Sequence, residues 1–86
     1  MMNEDKNMNN MEKYKEVFIR VLNTKEEALN EKFTFKDVPQ WDSVAHLSLI
    51  SELEDSFDVM FESNDILHFG SYCNGIEILK RYGVEF

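Results

Sequence analysis

The apolar residues between Glu12 and Leu22 recur at the spacing of one face of a helix. They stand at positions i, i+3, i+4, i+7 and i+8 of this segment: Tyr14, Val17, Phe18, Val21 and Leu22. Because an α-helix completes a turn in about 3.6 residues, side chains at this spacing form one stripe that can pack on a core. The pattern predicts a first amphipathic helix over residues 12–22.

A longer amphipathic pattern follows Asp42 and Ser43, whose side chains are both suited to cap a helix N-terminus. The inner face of the run 44–57 is apolar and consists of Leu49, Ile50, Leu53 and Phe57. The opposite side is mostly polar or acidic and carries Ser48, Ser51, Glu52, Glu54 and Asp55. We therefore expect a second helix with an acidic side facing solvent.

Two further helices are predicted in the last third of the chain. Ser63 or Asn64 is suited to cap a short helix that ends near Leu67. A final helix has Tyr72, Ile76 and Leu79 on one face and Gly83 as a suitable stop. No strand-like alternation of useful length occurs, so the predicted fold class is all-α, a four-helix bundle with three longer helices and a short third one.

The segments outside these patterns are predicted as loop and tail. Residues 23–40 carry mixed charge, the isolated aromatic residues Phe33 and Phe35, and Pro39, which disfavours helix before it. A loop of this length between packed helices is more often functional or required by topology than idle. Residues 1–10, rich in Asn and Met, read as a disordered N-terminal tail, which leaves one domain over residues 11–86.

The cysteine content and the absence of long apolar runs indicate the cellular compartment. The single cysteine, Cys73, excludes an intramolecular disulfide, which favours a reducing compartment, and we expect a cytoplasmic monomer. Residues 1–10 contain no apolar run of the kind that a signal peptide needs. No window approaches the roughly 20 apolar residues of a membrane span, so membrane insertion is not expected.

The net charge of −8 is concentrated in the second half of the chain. Residues 1–36 contain seven acids and seven bases, whereas residues 37–79 contain no Lys or Arg. The nine acids of that stretch are Asp37, Asp42, Glu52, Glu54, Asp55, Asp58, Glu62, Asp65 and Glu77. Nucleic-acid binding needs cations to neutralise phosphates, so this distribution argues against it and favours proteins with basic surfaces as partners.

The stretch PQWDSVAHL at residues 39–47, with the acidic helix that follows it, resembles the serine motif and second helix of the acyl carrier protein family. The family motif is Asp-Ser-Leu or a near variant, and here Val44 follows the serine. Trp41 precedes the Asp-Ser pair, which is similar to stand-alone carriers of polyketide, nonribosomal-peptide or surface-polymer synthesis. The resemblance extends over roughly residues 11–83 and implies a four-helix bundle of acyl-carrier type.

The resemblance also implies a cofactor, a site and partners. Ser43 is the implied attachment point of 4′-phosphopantetheine, which a phosphopantetheinyl transferase moves from coenzyme A, and Asp42 is the neighbour that helps to engage that enzyme. The arm carries an acyl or aminoacyl group as a thioester, in fatty acid, polyketide or other specialised biosynthesis. Acyl-loading enzymes and acyl-transfer or synthase enzymes are the further implied partners. The residues assigned to the partner-facing side of the second helix are Val44, Leu47, Ser51, Glu54 and Asp55.

Other interpretations are open on the sequence alone. Asp42 and Ser43 are also explained as simple helix caps, and the chain as an unmodified acidic helical protein-interaction module with the carrier fold. An enzyme is the least favoured, since no hydrolase, phosphate-loop or CxxC signature occurs. His46, His68 and Cys73 lack the paired spacing of zinc ligands, so no metal site is expected, and Cys73 is expected to be buried. Ordinary packing is the preferred role of the aliphatic and aromatic residues Leu49, Ile50, Leu53, Phe57, Ile66, Ile76 and Leu79.

Overall fold

The computed structural model describes residues 9–86, and this part of the chain is a helical bundle. Its four α-helices are α1 (Asn10–Leu22), α2 (Ser43–Phe57), α3 (Ser63–Leu67) and α4 (Tyr72–Arg81). A short 3₁₀ turn (Glu26–Ala28) interrupts the loop between α1 and α2. Residues 9–86 contain no strand, so the all-α prediction is confirmed. The predicted tail lies, up to residue 8, outside the described residues.

Helix α1 begins at Asn10, two residues before the predicted start. The reason is the cap, because the Asn9 side chain accepts a hydrogen bond of 2.9 Å from the Glu12 N–H. The helix ends at Leu22, and its C-cap, Asn23, adopts the left-handed conformation with φ 53°. Between these ends, the predicted apolar stripe faces the core, except that Val21 is only half-buried.

The long loop between α1 and α2 is tied to the linker between α3 and α4. The Phe35 N–H donates to the Gly70 carbonyl at 2.9 Å, and the Tyr72 N–H donates to the Phe33 carbonyl at 2.9 Å. These two bonds form an isolated antiparallel bridge centred on Thr34. They bury the Phe33 side chain while leaving Phe35 partly exposed at the surface.

Aromatic rings fill the centre of the core. The Phe18 side chain is fully buried, and five ring centroids lie 4.8–6.3 Å from its own: those of Tyr14, Phe33, Trp41, Phe69 and Tyr72. Of the predicted core residues, Leu49, Ile50, Leu53 and Leu79 are buried, while Phe57, Ile66 and Ile76 pack against the core at its edge. The core thus joins α1, the long loop, α2 and the α3–α4 linker through side-chain contact.

The prediction of a buried Cys73 is wrong, because its thiol is exposed. The buried face of α4 consists of Tyr72, Gly75, Ile78 and Leu79. Successive helical residues are about 100° apart, so Cys73 is turned away from the face that Tyr72 begins. Ile78 occupies the buried position that the sequence pattern assigned to Ile76.

Helix α3 is held to the end of α4 through Asp65. Its carboxylate accepts hydrogen bonds from the Tyr82 hydroxyl at 2.6 Å and from Arg81 Nη2 at 3.0 Å. The Tyr82 hydroxyl in turn accepts from the Glu62 N–H at 2.9 Å. The Tyr82 hydrogen bond, followed by that from Arg81, lowers the pKa of the Asp65 carboxyl.

This carboxylate network predicts a loss of stability in acid. Because the pKa of Asp65 is lower in the folded protein than the ordinary value of about 3.9, its contribution is present above that value. It is lost as the pH falls through the folded-state pKa. Urea unfolding between about pH 6 and about pH 2 should therefore show wild type more stable than Asp65→Asn at the upper end, with the difference vanishing at the lower end. A difference that is constant across this range would contradict the role assigned to the carboxylate.

None of the helices in residues 9–86 combines the length and the apolar character that crossing a membrane requires.

Candidate functional site

Ser43 is the first residue of α2, and its side chain is exposed. The preceding Asp42 is the N-cap, and its carboxylate accepts the Ala45 N–H at 2.8 Å. The sequence left either residue as the cap, and the geometry assigns that role to Asp42. Trp41, which is 1% exposed, anchors the segment just before the cap in the core. The start of α2 is therefore fixed on both sides of a serine whose hydroxyl faces solvent.

The position of Ser43 favours a negatively charged group on its oxygen. An α-helix leaves its first N–H groups without carbonyl partners, and its dipole makes this end partially positive. The Asp42 carboxylate occupies one of these donors and contributes one negative charge on the outer side of the cap. An anion attached to Ser43 would lie near the remaining donors of the first turn.

A mostly apolar groove opens beside Ser43, between the first turns of α2, helix α3 and the long loop. Its volume is about 380 Å³. Besides Ser43, it is lined by Phe35, His46, Leu47, Ile66, Leu67 and Gly70. We call this feature the Ser43 groove.

His46 joins α2 to α3 at the wall of the Ser43 groove. Its Nδ1 accepts the indole N–H of Trp41 at 3.0 Å, and its Nε2 lies 2.9 Å from the Ile66 carbonyl oxygen. Since a carbonyl only accepts, Nε2 carries the proton and Nδ1 does not, which is one neutral tautomer. Both ring nitrogens are thus engaged in structural bonds, and neither is paired with the Ser43 hydroxyl as a catalytic base would be.

The other histidine, His68, does not line the Ser43 groove. His68 Nδ1 lies 2.9 Å from the Asn64 carbonyl oxygen, within the same short helix region. Across residues 9–86, no group of three or more His, Cys, Asp or Glu side chains is arranged to hold a metal ion.

The residues assigned to the partner-facing side of α2 lie on its outer surface, with one exception. Val44 and Leu47 are 75% and 64% exposed, and Ser51 and Asp55 are also exposed. Glu54 is half-buried, and its Oε2 accepts the Phe61 N–H at 2.9 Å. Glu54 therefore fastens the linker after α2, and only part of its carboxylate faces solvent.

Two exposed apolar residues outside α2 were not predicted from the sequence. Leu67, at the end of α3, is 80% exposed, and Met60, in the linker before α3, is 82% exposed. For Leu67 a signal existed, since only one of the adjacent residues Ile66 and Leu67 can face the core from a single helical turn. Leu47 and Leu67 both line the Ser43 groove and give it an exposed apolar edge.

Most of the acids in residues 37–79 are not neutralised by the fold. Glu52 pairs with Arg20, Asp65 with Arg81 and Glu77 with Lys80, at 3.3, 3.0 and 3.6 Å. Within the described residues, the other six acids of this stretch form no ion pair: Asp37, Asp42, Glu54, Asp55, Asp58 and Glu62. Of these six, Asp42 directly precedes Ser43, so a carboxylate without an ion pair among the described residues lies next to the exposed serine.

No family model matches the chain, and no curated protein matches it either. The functional assignment consequently depends on the residues of the site itself.

Proposed function

We propose that this protein is an acyl carrier, whose Ser43 oxygen is esterified by 4′-phosphopantetheine and whose thiol-bound cargo is an acyl or aminoacyl group. One observation carries the proposal: Ser43 is an exposed serine in the first turn of a helix, and its capping role is taken by Asp42. The Ser43 hydroxyl is therefore not needed to cap the helix, and it lies at the partially positive helix end, where a phosphodiester is favoured. The chain supplies the attachment site and catalyses no step of its own.

The attachment chemistry fits the surroundings of Ser43. In the transfer, the serine oxygen bonds to the phosphorus that bears pantetheine, the pyrophosphate bond of coenzyme A breaks, and the nucleotide leaves. The product is a singly charged phosphodiester at the partially positive end of α2. The exposed hydroxyl allows the transferase to provide the base, which His46 does not provide because both its ring nitrogens are engaged.

The proposed partners follow from the surface around Ser43. A phosphopantetheinyl transferase, an acyl-loading enzyme and an acyl-transfer or synthase enzyme would each dock on α2 with a basic surface. Val44 and Leu47 supply exposed apolar contacts, and Ser51, Asp55 and the accessible part of Glu54 supply polar ones. We propose that the protein is a cytoplasmic monomer that acts in fatty acid, polyketide or other specialised biosynthesis.

The test is loading of the purified wild-type chain. After incubation with coenzyme A, magnesium and a broad-specificity phosphopantetheinyl transferase, intact-protein mass spectrometry should show a gain of one phosphopantetheine per chain. If several such transferases produce no gain, the proposal fails, and an unmodified interaction module becomes the better account of the acidic helix.

A further inference from the structure

The ring of Phe69 lies directly behind the His46 wall of the Ser43 groove. Its side chain is fully buried in the linker between α3 and α4. On the groove side its ring centroid lies 5.9 Å from that of His46, and on the core side 6.3 Å from that of Phe18. The rings of Trp41 and Phe61 lie 6.2 and 6.3 Å away. Phe69 therefore contacts both the His46 ring, which lines the groove, and the Phe18 ring at the centre of the core.

The Phe69 ring packs tightly against helix α4. Gly75 is buried, and a Cβ atom added there would collide with the Phe69 ring and with the Tyr14 hydroxyl. The glycine lets the α4 backbone approach the ring directly. The Tyr14 hydroxyl is itself fixed, because it donates to the Tyr72 carbonyl at 2.5 Å.

An alkyl chain that passed the groove wall beside His46 would meet the Phe69 ring and would have to displace it to reach Phe18. Burying the alkyl chain would remove apolar surface from water, but moving the Phe69 ring towards solvent would expose apolar surface in its place. The hydrophobic driving force for the exchange is therefore small. The displaced ring would also lose its contacts with a close-packed core. The groove alone, at about 380 Å³, lies near the lower end of the range of roughly 300–1,000 Å³ typical of small-molecule sites.

We propose that Phe69 is a specificity-determining residue, which keeps the interior closed and restricts the cargo to a small acyl or aminoacyl group held at the surface. A long aliphatic chain is not sequestered. The restriction on cargo rests on the proposed function, but whether an alkyl chain enters the core is testable without any loading enzyme.

The experiment places alkyl chains at residue 43 chemically. In a Ser43→Cys, Cys73→Ser protein, the exposed native thiol is removed and the new thiol is the only one left. A methyl or octyl methanethiosulfonate then forms a mixed disulfide with it, as the thiolate attacks the sulfenyl sulfur and methanesulfinate leaves. Methyl NMR spectra of Leu49, Leu53 and Leu79, all fully buried, report whether the chain enters the core.

The expected result is that the octyl and methyl adducts give the same core methyl shifts. In a Phe69→Ala background, the octyl adduct alone should shift them, since the cavity left by the ring admits the chain. Phe69→Leu, a smaller change that keeps most of the packing, replaces Phe69→Ala in that arm if the latter does not fold. Core shifts with the octyl adduct of the Phe69 protein would overturn the inference, and so would their absence in a folded Phe69 variant.

The two hypotheses fail separately. A chain that accepts no phosphopantetheine contradicts the proposed function, whatever the octyl adduct does. A chain that is loaded normally, yet takes the octyl group into its core, contradicts only the restriction to small cargo.

Discussion

A Ser43→Ala protein is expected to accept no phosphopantetheine while remaining as stable as wild type. Loading disappears because the accepting oxygen is gone. Stability is kept because Asp42, and not Ser43, caps α2. Alanine also has a higher helix propensity than serine, so the free energy of unfolding should change by no more than about 0.5 kcal/mol, in the stabilising direction. Intact mass spectrometry and urea unfolding measure the two effects on the same sample.

Two control variants make this separation sharp. Ser63→Ala removes another exposed serine that begins a helix, and it should load as wild type does. Asp42→Ala removes the observed cap and should cost about 1 kcal/mol of stability. A Ser43→Ala protein that still gains phosphopantetheine, or that loses as much stability as Asp42→Ala, would contradict the assignment of roles at this helix start.

Phe18→Ala is expected to destabilise the protein by about 3–5 kcal/mol, which is a large part of the roughly 5–15 kcal/mol typical of a folded domain. The ring is fully buried and touches the aromatic residues of α1, the long loop, the linker before α4 and α4 itself. Its removal leaves a cavity that ring neighbours, held by one another, fill poorly. Urea unfolding followed by far-ultraviolet circular dichroism measures the loss.

Phe35→Ala is the matched control, since it removes the same side chain from a position that is 40% exposed. Its cost should be clearly smaller than that of Phe18→Ala. Equal costs at the two positions would show that the central ring cluster is not the main source of stability.

The parts of the fold that depend on local pattern were predictable. The stripes of α1 and α2 follow from apolar spacing, and the inner face of α2 is buried at Leu49, Ile50 and Leu53 as expected. The start of α2 was also predictable, because a capping pair directly precedes an apolar run. The choice of Asp42 over Ser43 as the cap was not, since both side chains are competent and backbone geometry decides between them.

The surroundings of the candidate site could not be predicted, because contacts between distant segments form them. Phe69 stands alone in a linker, where no periodic neighbour marks it as buried. His46 looked like an isolated histidine until the fold brought Trp41 and the Ile66 carbonyl to its two nitrogens. Glu54 fits an acidic solvent face by pattern, yet it bonds to the linker that follows α2. Local period carries no information about such partners.

The proposed attachment is tested most directly by the modification state of Ser43 in the protein isolated from the cells that make it. Trypsin should release residues 37–80 as one peptide, since no Lys or Arg lies between Lys36 and Lys80. That peptide contains six serines, so fragmentation in the mass spectrometer must assign the site. Phosphopantetheine is expected on Ser43 and on no other serine of this peptide. A peptide that is unmodified, or modified at a different serine, would contradict it.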